Sequence, residues 1–282
     1  MQELFDHFIR ERLYLTRVTP ATIKWHQRAW KVFQSAFADG VSKAAIVERI
    51  AELSQKLSKT SINTHLRSLQ AFLNWLAWEG RTEPLKLPKL KEGKKILATL
   101  AEEQIRAIAS FRPNRGRNLK RMHLLALLLD TGLWLSEALA LKGQDLDYEN
   151  LYVRVSGKGQ KERLVPMSRQ LRKHLFTATK SRTRGTDYLF CTASGLAMSQ
   201  RNALRDFRLL GTVCGIREVR FSPHTMRHSF AVHWLRRGGD IYMLSRILGH
   251  SSVAITEVYL RSLGIADLQR QHAEISVLTM GH

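Results

Sequence analysis

The sequence predicts a mainly α-helical protein with one small β-hairpin, in which an amino-terminal helical bundle precedes a mixed, mostly helical domain. Three observations predict this fold class. Apolar residues recur at helical spacing through residues 1–80, alternating residues mark two short strands near residue 155, and helical spacing then returns. With 282 residues, 44% of them hydrophobic, the chain has enough apolar content for about two folded domains.

The first 80 residues carry the pattern of four short amphipathic helices. The first has an apolar stripe over residues 4–13. Thr19 followed by Pro20 is typical of a helix start, because an N-cap is followed by proline at the first helical position. Ser42 is the predicted cap of the third helix, and the fourth begins near Thr60. Four such helices are expected to pack as a small bundle.

The segment over residues 83–96 has a different composition and predicts a linker. Pro84 and Pro88 interrupt the helical spacing, and five lysines crowd this short stretch. We therefore predict a helical domain over residues 1–82, a solvated Lys-rich linker over residues 83–96, and a second domain over residues 97–282.

The second domain is predicted to be mostly helical with one β-hairpin. Thr99 and Glu102 have the spacing of a capping box, and helices are predicted around residues 119–130 and 134–141. Residues 151–155 alternate as a strand does, residues 157–159 supply turn glycines, and residues 163–165 form the partner strand. Later helices are predicted to begin near Ser168, Ser199, Ser222 and Asp240.

The charge of the chain indicates a polyanionic partner. Its 45 Lys and Arg residues exceed its 24 Asp and Glu residues by 21. This excess argues against an enzyme of small neutral substrates and favours nucleic acid first and an anionic membrane surface second. Residues 1–95 carry a net charge of +8 and the remainder +13. Because both halves are basic, two domains that share one long polyanion are favoured over a single basic tail.

The cysteine content and the apolar stretches indicate the compartment. Two cysteines, Cys191 and Cys214, exclude a disulfide scaffold and suit a reducing environment. The chain opens without an apolar secretory segment, and its longest apolar stretch, residues 122–135, is too short to span a bilayer. We expect a cytoplasmic protein that does not use a membrane.

One stretch combines residues that suit phosphate chemistry. Ser222 and Pro223 start a helix, so His224 and Arg227 lie in its first turns on one face. A helix N-terminus attracts anions, and a guanidinium and an imidazole add donors. The alternative, which the residues leave equally open, is that His224 caps the helix and Arg227 forms an ordinary ion pair. His224 and His228 also have metal-ligand spacing, but no carboxylate nearby completes such a site.

Two further stretches are weaker when each is taken alone. Gly249 is typical of a helix end and turns the chain toward His250, and Tyr259 follows nine residues later. A tyrosine near a helix end is usually structural. Lys158 lies at the predicted hairpin tip, where it is either an ordinary exposed lysine or a mobile proton donor.

Together these stretches resemble the tyrosine recombinase, or phage integrase, family in its compact two-domain form, similar to the Xer recombinases. The order Gly-Lys-Gly-x-Lys, His-x-x-Arg-His, Leu-Gly-His-Ser-Ser and then tyrosine carries the resemblance, which covers nearly the whole chain. The resemblance implies a core-binding domain, a linker and a catalytic domain that cuts and rejoins DNA. It makes Tyr259 the nucleophile of a 3′-phosphotyrosyl link and Lys158 the donor to the leaving 5′-oxygen. Arg227, His224 and His250 would hold the phosphate oxygens, and no metal or cofactor is implied.

One position departs from the family pattern. The family has Thr-Gly-x-Arg-x-Ser-Glu, whereas residues 131–137 are Thr-Gly-Leu-Trp-Leu-Ser-Glu and place Trp134 at the position of the first family arginine. Loss of one donor to a charged transition state costs roughly a hundred- to thousand-fold in rate. Three outcomes stay open: another cation such as Lys161, Arg121 or Arg154 replaces it, the protein cleaves slowly, or it binds DNA without cutting. The other matching residues favour strand exchange.

The resemblance also implies how the chain meets DNA and other copies of itself. Four protomers are expected on two paired DNA sites. The tail over residues 264–282 either packs on its own domain or docks on a neighbouring protomer, and docking is favoured. The candidate DNA-contacting residues are Arg67, Gln70, Asn63, Lys91, Lys94, Lys95 and Lys161. A DNA-binding regulator without catalysis and a monomeric topoisomerase-like enzyme are the competing interpretations.

Overall fold

The computed structural model describes residues 1–91, 93, 97–110, 117–157, 162–181, 183 and 185–276. The chain divides into two compact units, residues 1–95 and residues 96–282. The first unit is helical, and the second combines helices with a small antiparallel sheet. The predicted fold class, mainly α with a small β-hairpin, is confirmed.

Unit 1, residues 1–95, contains four α-helices, and short polar side chains set the starts of three of them. Thr19, Ser42 and Ser58 each accept a hydrogen bond from the backbone N–H three residues later, as N-caps do. The predicted caps at Thr19 and Ser42 are therefore present, and the fourth helix starts one residue before Thr60. The four helices are α1 (Gln2–Tyr14), α2 (Pro20–Phe33), α3 (Lys43–Ser54) and α4 (Lys59–Trp78).

An aromatic core holds these helices together. Phe5 and Trp30 stack with ring centroids 4.7 Å apart, and Phe72 meets both rings edge-on. Phe8 and Phe33 are buried in the same cluster. Because each aromatic side chain removes a large apolar area from water, the spacing of these residues decides how α1, α2 and α4 pack.

The segment that follows α4 lies against the helices of unit 1. Asn63 donates to the Leu90 carbonyl and accepts from the Leu90 N–H, at 2.9 Å each. Gln70 donates to the Leu85 carbonyl and accepts from the Leu87 N–H, at 2.8 Å each. These leucines also pack on the aromatic core. The leucines of the predicted linker thus pack on unit 1, which differs from a fully solvated linker. Both amides bind the chain's own backbone here, and the DNA contacts of Asn63 and Gln70 stay predictions.

Unit 2, residues 96–282, contains a three-stranded sheet and most of the helices. The strands β1 (Leu146–Asp147), β2 (Tyr152–Ser156) and β3 (Glu162–Pro166) pair antiparallel in chain order. A 3₁₀ helix, Glu257–Ser262, precedes the last α-helix. The helices are α5 (Glu102–Ser110), α6 (Arg117–Thr131), α7 (Leu135–Ala140), α8 (Arg169–Lys180), α9 (Gln200–Val213), α10 (Pro223–Arg236), α11 (Ile241–Leu248) and α12 (Ile265–Ile275).

Most helix starts in unit 2 agree with the capping residues that the sequence offers. The side chains that cap α8, α9, α10 and α11 are Ser168, Ser199, Ser222 and Asp240. The start of α5 differs from the predicted capping box of Thr99 and Glu102. There the Gln104 side chain accepts from the Ala101 N–H at 3.0 Å and satisfies one of the free donors of the first turn.

The packing of α6 against α10 forms the centre of unit 2. Leu125, Leu128 and Met226 are completely buried in one continuous core. Because α10 is enclosed in this way, polar side chains on its inner face leave water and require partners inside the protein. No described helix of either unit is long and apolar enough to cross a membrane.

Candidate active site

The first turns of α10 deliver a buried guanidinium. Ser222 accepts from the Thr225 N–H, and Pro223 occupies the first helical position. Arg227 follows one turn later and is only 1% exposed. Because a buried cation without partners is costly, the groups around Arg227 define what this site can do.

Two glycine turns bring backbone acceptors to Arg227. Its Nη1 donates to the Gly132 carbonyl at 2.6 Å, and its Nη2 donates to the Leu248 carbonyl at 2.9 Å. Gly132 has a φ of +63° and Gly249 a φ of +71°, which is the left-handed region that favours glycine. A Cβ at Gly132 would also collide with the Phe230 ring. These turns therefore depend on glycine, and they fix the orientation of the guanidinium.

Tyr259 reaches the same guanidinium from the 3₁₀ helix. Its phenol lies near enough to Arg227 for the guanidinium to affect the pKa of the phenol, and the residue is 3% exposed. The tyrosine ring lies 5.7 Å from the His228 ring and 6.5 Å from the His250 ring. Burial raises the pKa of Tyr259, and the Arg227 charge opposes that rise. The phenol is therefore protonated at neutral pH, and it must lose this proton to act as a nucleophile.

The contacts of His250 fix its tautomer. A guanidinium can only donate, so the His250 Nε2 accepts from Arg227 at 2.9 Å. The proton therefore lies on Nδ1, which donates to the Thr256 hydroxyl at 2.8 Å. Burial, and then the charges of Arg227 and Arg163, lower the pKa of His250 to about 4. His250 is consequently neutral at physiological pH and serves as an acceptor for Arg227.

We expect His250 in the free protein to titrate near pH 4, far below an ordinary histidine. Between pH 6.5 and pH 4 the unfolded chain binds a proton that the folded site excludes. The contribution of neutral His250 to the free energy of unfolding is therefore fully present above pH 6.5 and is lost as the pH falls through 4. An NMR titration of the imidazole and urea unfolding at pH 7.5 and 4.5 measure both effects, with His250→Asn as the control that lacks the titrating group. A midpoint above pH 6 would contradict this expectation.

Trp134 and His224 form the outer side of the cluster. The Trp134 ring lies over the guanidinium, with its centroid 4.2 Å from the Arg227 Cζ. Its ring meets the His224 ring nearly at right angles, at a centroid distance of 5.6 Å. Trp134 is 41% exposed and His224 is also exposed. A phenol beside a guanidinium and imidazoles suits nucleophilic attack on a phosphate, because the cationic donors stabilise the charge that develops.

Comparison with known proteins identifies the family to which this chain belongs. The model of the phage integrase family matches residues 98–264. The chain belongs to the phage integrase family. A tyrosine recombinase of Pseudothermotoga lettingae is 33% identical over 276 residues, which cover 92% of this chain and 94% of that protein. The tyrosine recombinase XerA of Pyrococcus furiosus is 32% identical over 243 residues, which cover 83% of this chain and 82% of that protein.

Solved structures of recombinases share the fold. A crystal structure of XerA recombinase has 26% sequence identity and a TM-score of 0.56, and the match covers 97% of this chain and 98% of that chain. A Tn1549 transposon integrase in complex with circular intermediate DNA has 22% identity and a TM-score of 0.78, with the same coverage. The family predicted from the sequence motifs is confirmed, and the chain is a tyrosine recombinase.

The fold of this recombinase places several predicted residues in one cluster. The side chains brought together are Tyr259, Arg227, His250, His224 and Trp134. Lys158, Lys161, Lys94 and Lys95 lie outside the described residues. Arg67 and Lys91 are exposed on unit 1, and their contacts with DNA remain predictions.

His228 also belongs to the cluster. The sequence analysis considered it only as a metal ligand, because of its spacing from His224. Its ring lies between those of His224 and Tyr259, at centroid distances of 6.5 Å and 5.7 Å. Burial, followed by the charges of His224 and Arg227, lowers the pKa of His228. A neutral imidazole therefore stands beside the phenol. Its place directly after Arg227 in the His-x-x-Arg-His motif is the signal that could have identified it.

Arg163 is a second residue that the sequence analysis missed. Its two Nη atoms donate to the Glu137 carboxylate at 2.8 and 2.9 Å, and its Nε donates to the Ile247 carbonyl at 2.8 Å. Arg163 thereby joins β3 to α7 and to the end of α11, next to the turn at Gly249. Arg121, proposed above as a replacement cation, is instead paired with Asp206 at 2.6 Å.

Proposed function

We propose that this chain is a site-specific recombinase that cuts and rejoins double-stranded DNA through a 3′-phosphotyrosyl intermediate on Tyr259. The observation that carries the proposal is the buried Tyr259 side chain, whose ring lies in one cluster with His228 and His250 and beside Arg227 of the same chain. Nucleophile and cation therefore belong to one protomer. DNA as the substrate is supported by the net charge of +21 and by the Tn1549 integrase, which has the same fold and was solved with DNA.

In the cleavage step the Tyr259 oxygen forms a bond to phosphorus and the bond from phosphorus to the 5′-oxygen breaks. The phenolic proton passes to the neutral His228 imidazole beside the phenol, while neutral His250 holds Arg227. Arg227 and exposed His224 hold the non-bridging oxygens, whose charge grows in the transition state. The sequence motif assigns protonation of the 5′-oxygen to Lys158. Because the phosphotyrosyl ester conserves the energy of the broken bond, attack by a 5′-hydroxyl reverses the reaction without an external energy source.

A catalytically weak or silent DNA-binding homologue is the second candidate function. One observation favours it: Trp134 stands where the family has a cationic donor, and an indole offers no charge to phosphate. This candidate predicts DNA binding without a covalent adduct. The suicide-substrate experiment described next separates the two candidates.

A DNA duplex with a nick just beyond the cleavage point tests the proposed function. After cleavage the short fragment that carries the 5′-hydroxyl diffuses away, so rejoining stops and protein stays attached to DNA. We expect a covalent adduct that survives denaturing electrophoresis. A wild-type protein that binds this duplex and yields no adduct would support the silent homologue instead.

The tail at the end of unit 2 supports a homo-oligomer on paired sites. Polar residues of α12 hold it to α10 within the chain: Asp267 pairs with Arg236 at 3.3 Å, and Gln271 donates to the Leu235 carbonyl. Its apolar residues Ile265 and Leu268 are 71% and 52% exposed. The helix is thus fixed to its own unit by polar contacts while its apolar side chains stay open. We infer that residues 264–282 dock on a neighbouring protomer in a tetramer on DNA.

Leu268→Asp is expected to reduce the number of protomers that assemble on paired DNA sites, because it places a charge on the docking side of α12. Stability of the single chain should change little, since the side chain is half exposed. Mass photometry of the DNA complexes measures the assembly. Leu209→Asp, on the 49% exposed side of α9, is the matched control. Equal assembly by both variants would contradict docking through α12, whereas one protomer per DNA site in every variant and in wild type would support the monomeric topoisomerase-like interpretation.

A further inference from the structure

The Trp134 indole covers one face of the Arg227 guanidinium. The ring centroid lies 4.2 Å from the Arg227 Cζ, which is the distance of a close cation–π contact. Arg227 is 1% exposed, whereas Trp134 is 41% exposed. The indole therefore lies between the buried cation and water.

The other contacts of Arg227 lie at its edges. Gly132 and Leu248 offer carbonyl oxygens, Tyr259 offers a hydroxyl, and His250 offers a neutral ring nitrogen. None of these partners carries a negative charge at neutral pH. Within the described part of the chain, Arg227 forms no ion pair with a carboxylate. Glu137 acts on Arg227 through its charge without pairing with it. The electron-rich face of the indole is the group in contact with the guanidinium plane, where it helps to offset the buried charge.

Trp134 is itself held at its backbone and at its ring. Its backbone N–H donates to the Glu137 carboxylate at 2.9 Å, and the Arg163 guanidinium holds that carboxylate. Its ring meets the His224 ring edge-on at 5.6 Å. Trp134 therefore links the Glu137–Arg163 pair to both phosphate-binding candidates, Arg227 and His224.

We propose that Trp134 is a positioning residue, whose indole face holds the Arg227 guanidinium in the orientation that receives the phosphate. The inference rests on the proposed function and deepens it. At this position the family has an arginine, which could not contribute an aromatic face to Arg227. In this chain the residue acts on phosphate through Arg227, and the site has been rebuilt around the aromatic ring.

A series of side chains at position 134 separates an aromatic contact from simple packing. Trp134→Phe keeps an aromatic face, whereas Trp134→Leu keeps an apolar side chain without one. At saturating DNA, single-turnover adduct formation should fall roughly 10-fold in the leucine variant and clearly less in the phenylalanine variant. Affinity for the duplex should change less than twofold, because Arg227 is reoriented without being removed.

Fluorinated tryptophans at position 134 give a graded version of this test. Each added fluorine weakens the negative face of the ring while its shape stays almost constant. The logarithm of the adduct rate should fall in equal steps from tryptophan to the trifluorinated ring. The same substitutions at Trp78, which is 78% exposed in unit 1, are the matched control and should leave the rate unchanged.

An NMR measurement on the free protein tests the positioning without any catalytic step. The Arg227 Nε is buried and has no hydrogen-bond partner among the described residues. The chemical shift of its N–H is therefore sensitive to the Trp134 ring that covers the guanidinium. We expect a ring-current shift that persists in Trp134→Phe and disappears in Trp134→Leu.

The outcomes separate failure of the inference from failure of the proposed function. An unchanged Arg227 signal in Trp134→Leu overturns the positioning role whatever the activity. Equal adduct rates across the fluorinated series overturn it as well and leave the recombinase assignment intact. If neither the wild type nor any variant forms an adduct, the proposed function fails. The Arg227 resonance still decides whether Trp134 positions the guanidinium.

Discussion

A Tyr259→Phe variant is expected to form no covalent adduct with nicked DNA and to bind the intact duplex as wild type does. The substitution removes a single oxygen, the atom that becomes bonded to phosphorus. The ring stays in its place between His228 and His250, at the distances that pack it in the wild type. Loss of the polar interaction between the hydroxyl and Arg227 should cost only about 1 kcal/mol of stability. Denaturing electrophoresis measures the adduct, and fluorescence anisotropy measures the binding.

Tyr242→Phe is the matched control for this experiment. Tyr242 lies in the first turn of α11, is 65% exposed, and belongs to the same unit. Its hydroxyl has no role in the proposed chemistry, so its adduct yield should equal that of wild type. An adduct in Tyr259→Phe would show that another side chain attacks the phosphate, and the assignment of the nucleophile would then be wrong.

The parts of the fold that sequence reasoning predicted correctly depend on local physics. Helix starts at Thr19, Ser42 and Ser222 follow from an N-cap whose hydrogen bond spans three residues. The hairpin follows from alternation around turn glycines. The cluster of Arg227 and Tyr259 could be anticipated because the order of several motifs, taken together, identified the family.

The parts that the sequence analysis missed depend on contacts between distant segments. Nothing in the local pattern of Asn63 predicts that its amide binds the Leu90 backbone, 27 residues away. Arg163 lies in an alternating strand and looks like an ordinary basic side chain, yet it pairs with Glu137 across the unit. Trp134 was visible as a departure from the family, but its contact with Arg227 required the three-dimensional arrangement.

Arg163→Ala is expected to destabilise unit 2 by roughly 3–5 kcal/mol, the cost of leaving one partner of a buried ion pair alone. The two side chains are only 15% and 11% exposed, so water cannot replace the lost guanidinium at the Glu137 carboxylate. The Ile247 carbonyl loses its donor as well. Urea unfolding followed by amide hydrogen exchange in β3 and α11 measures the effect in this unit.

The exposed pair of Arg106 and Glu102 provides the control, because its side chains are 74% and 43% exposed. Arg106→Ala should leave the stability almost unchanged, since water replaces the lost partner. A double variant, Glu137→Ala with Arg163→Ala, should be less destabilised than the sum of the two single variants, because the double variant leaves no buried charge unpaired.

Adduct formation should fall together with stability in Arg163→Ala, and this follows from the position of the pair. The Arg163 guanidinium lies against Gly249, where an added Cβ would come within 3.0 Å of it, and the neighbouring Leu248 carbonyl and His250 ring both bind Arg227. Release of this turn lets two of the groups that orient Arg227 move. If Arg163→Ala proved as mild as Arg106→Ala in both stability and adduct yield, the pair would be dispensable, and the orientation of Arg227 would depend on Gly132, Trp134 and Tyr259 instead.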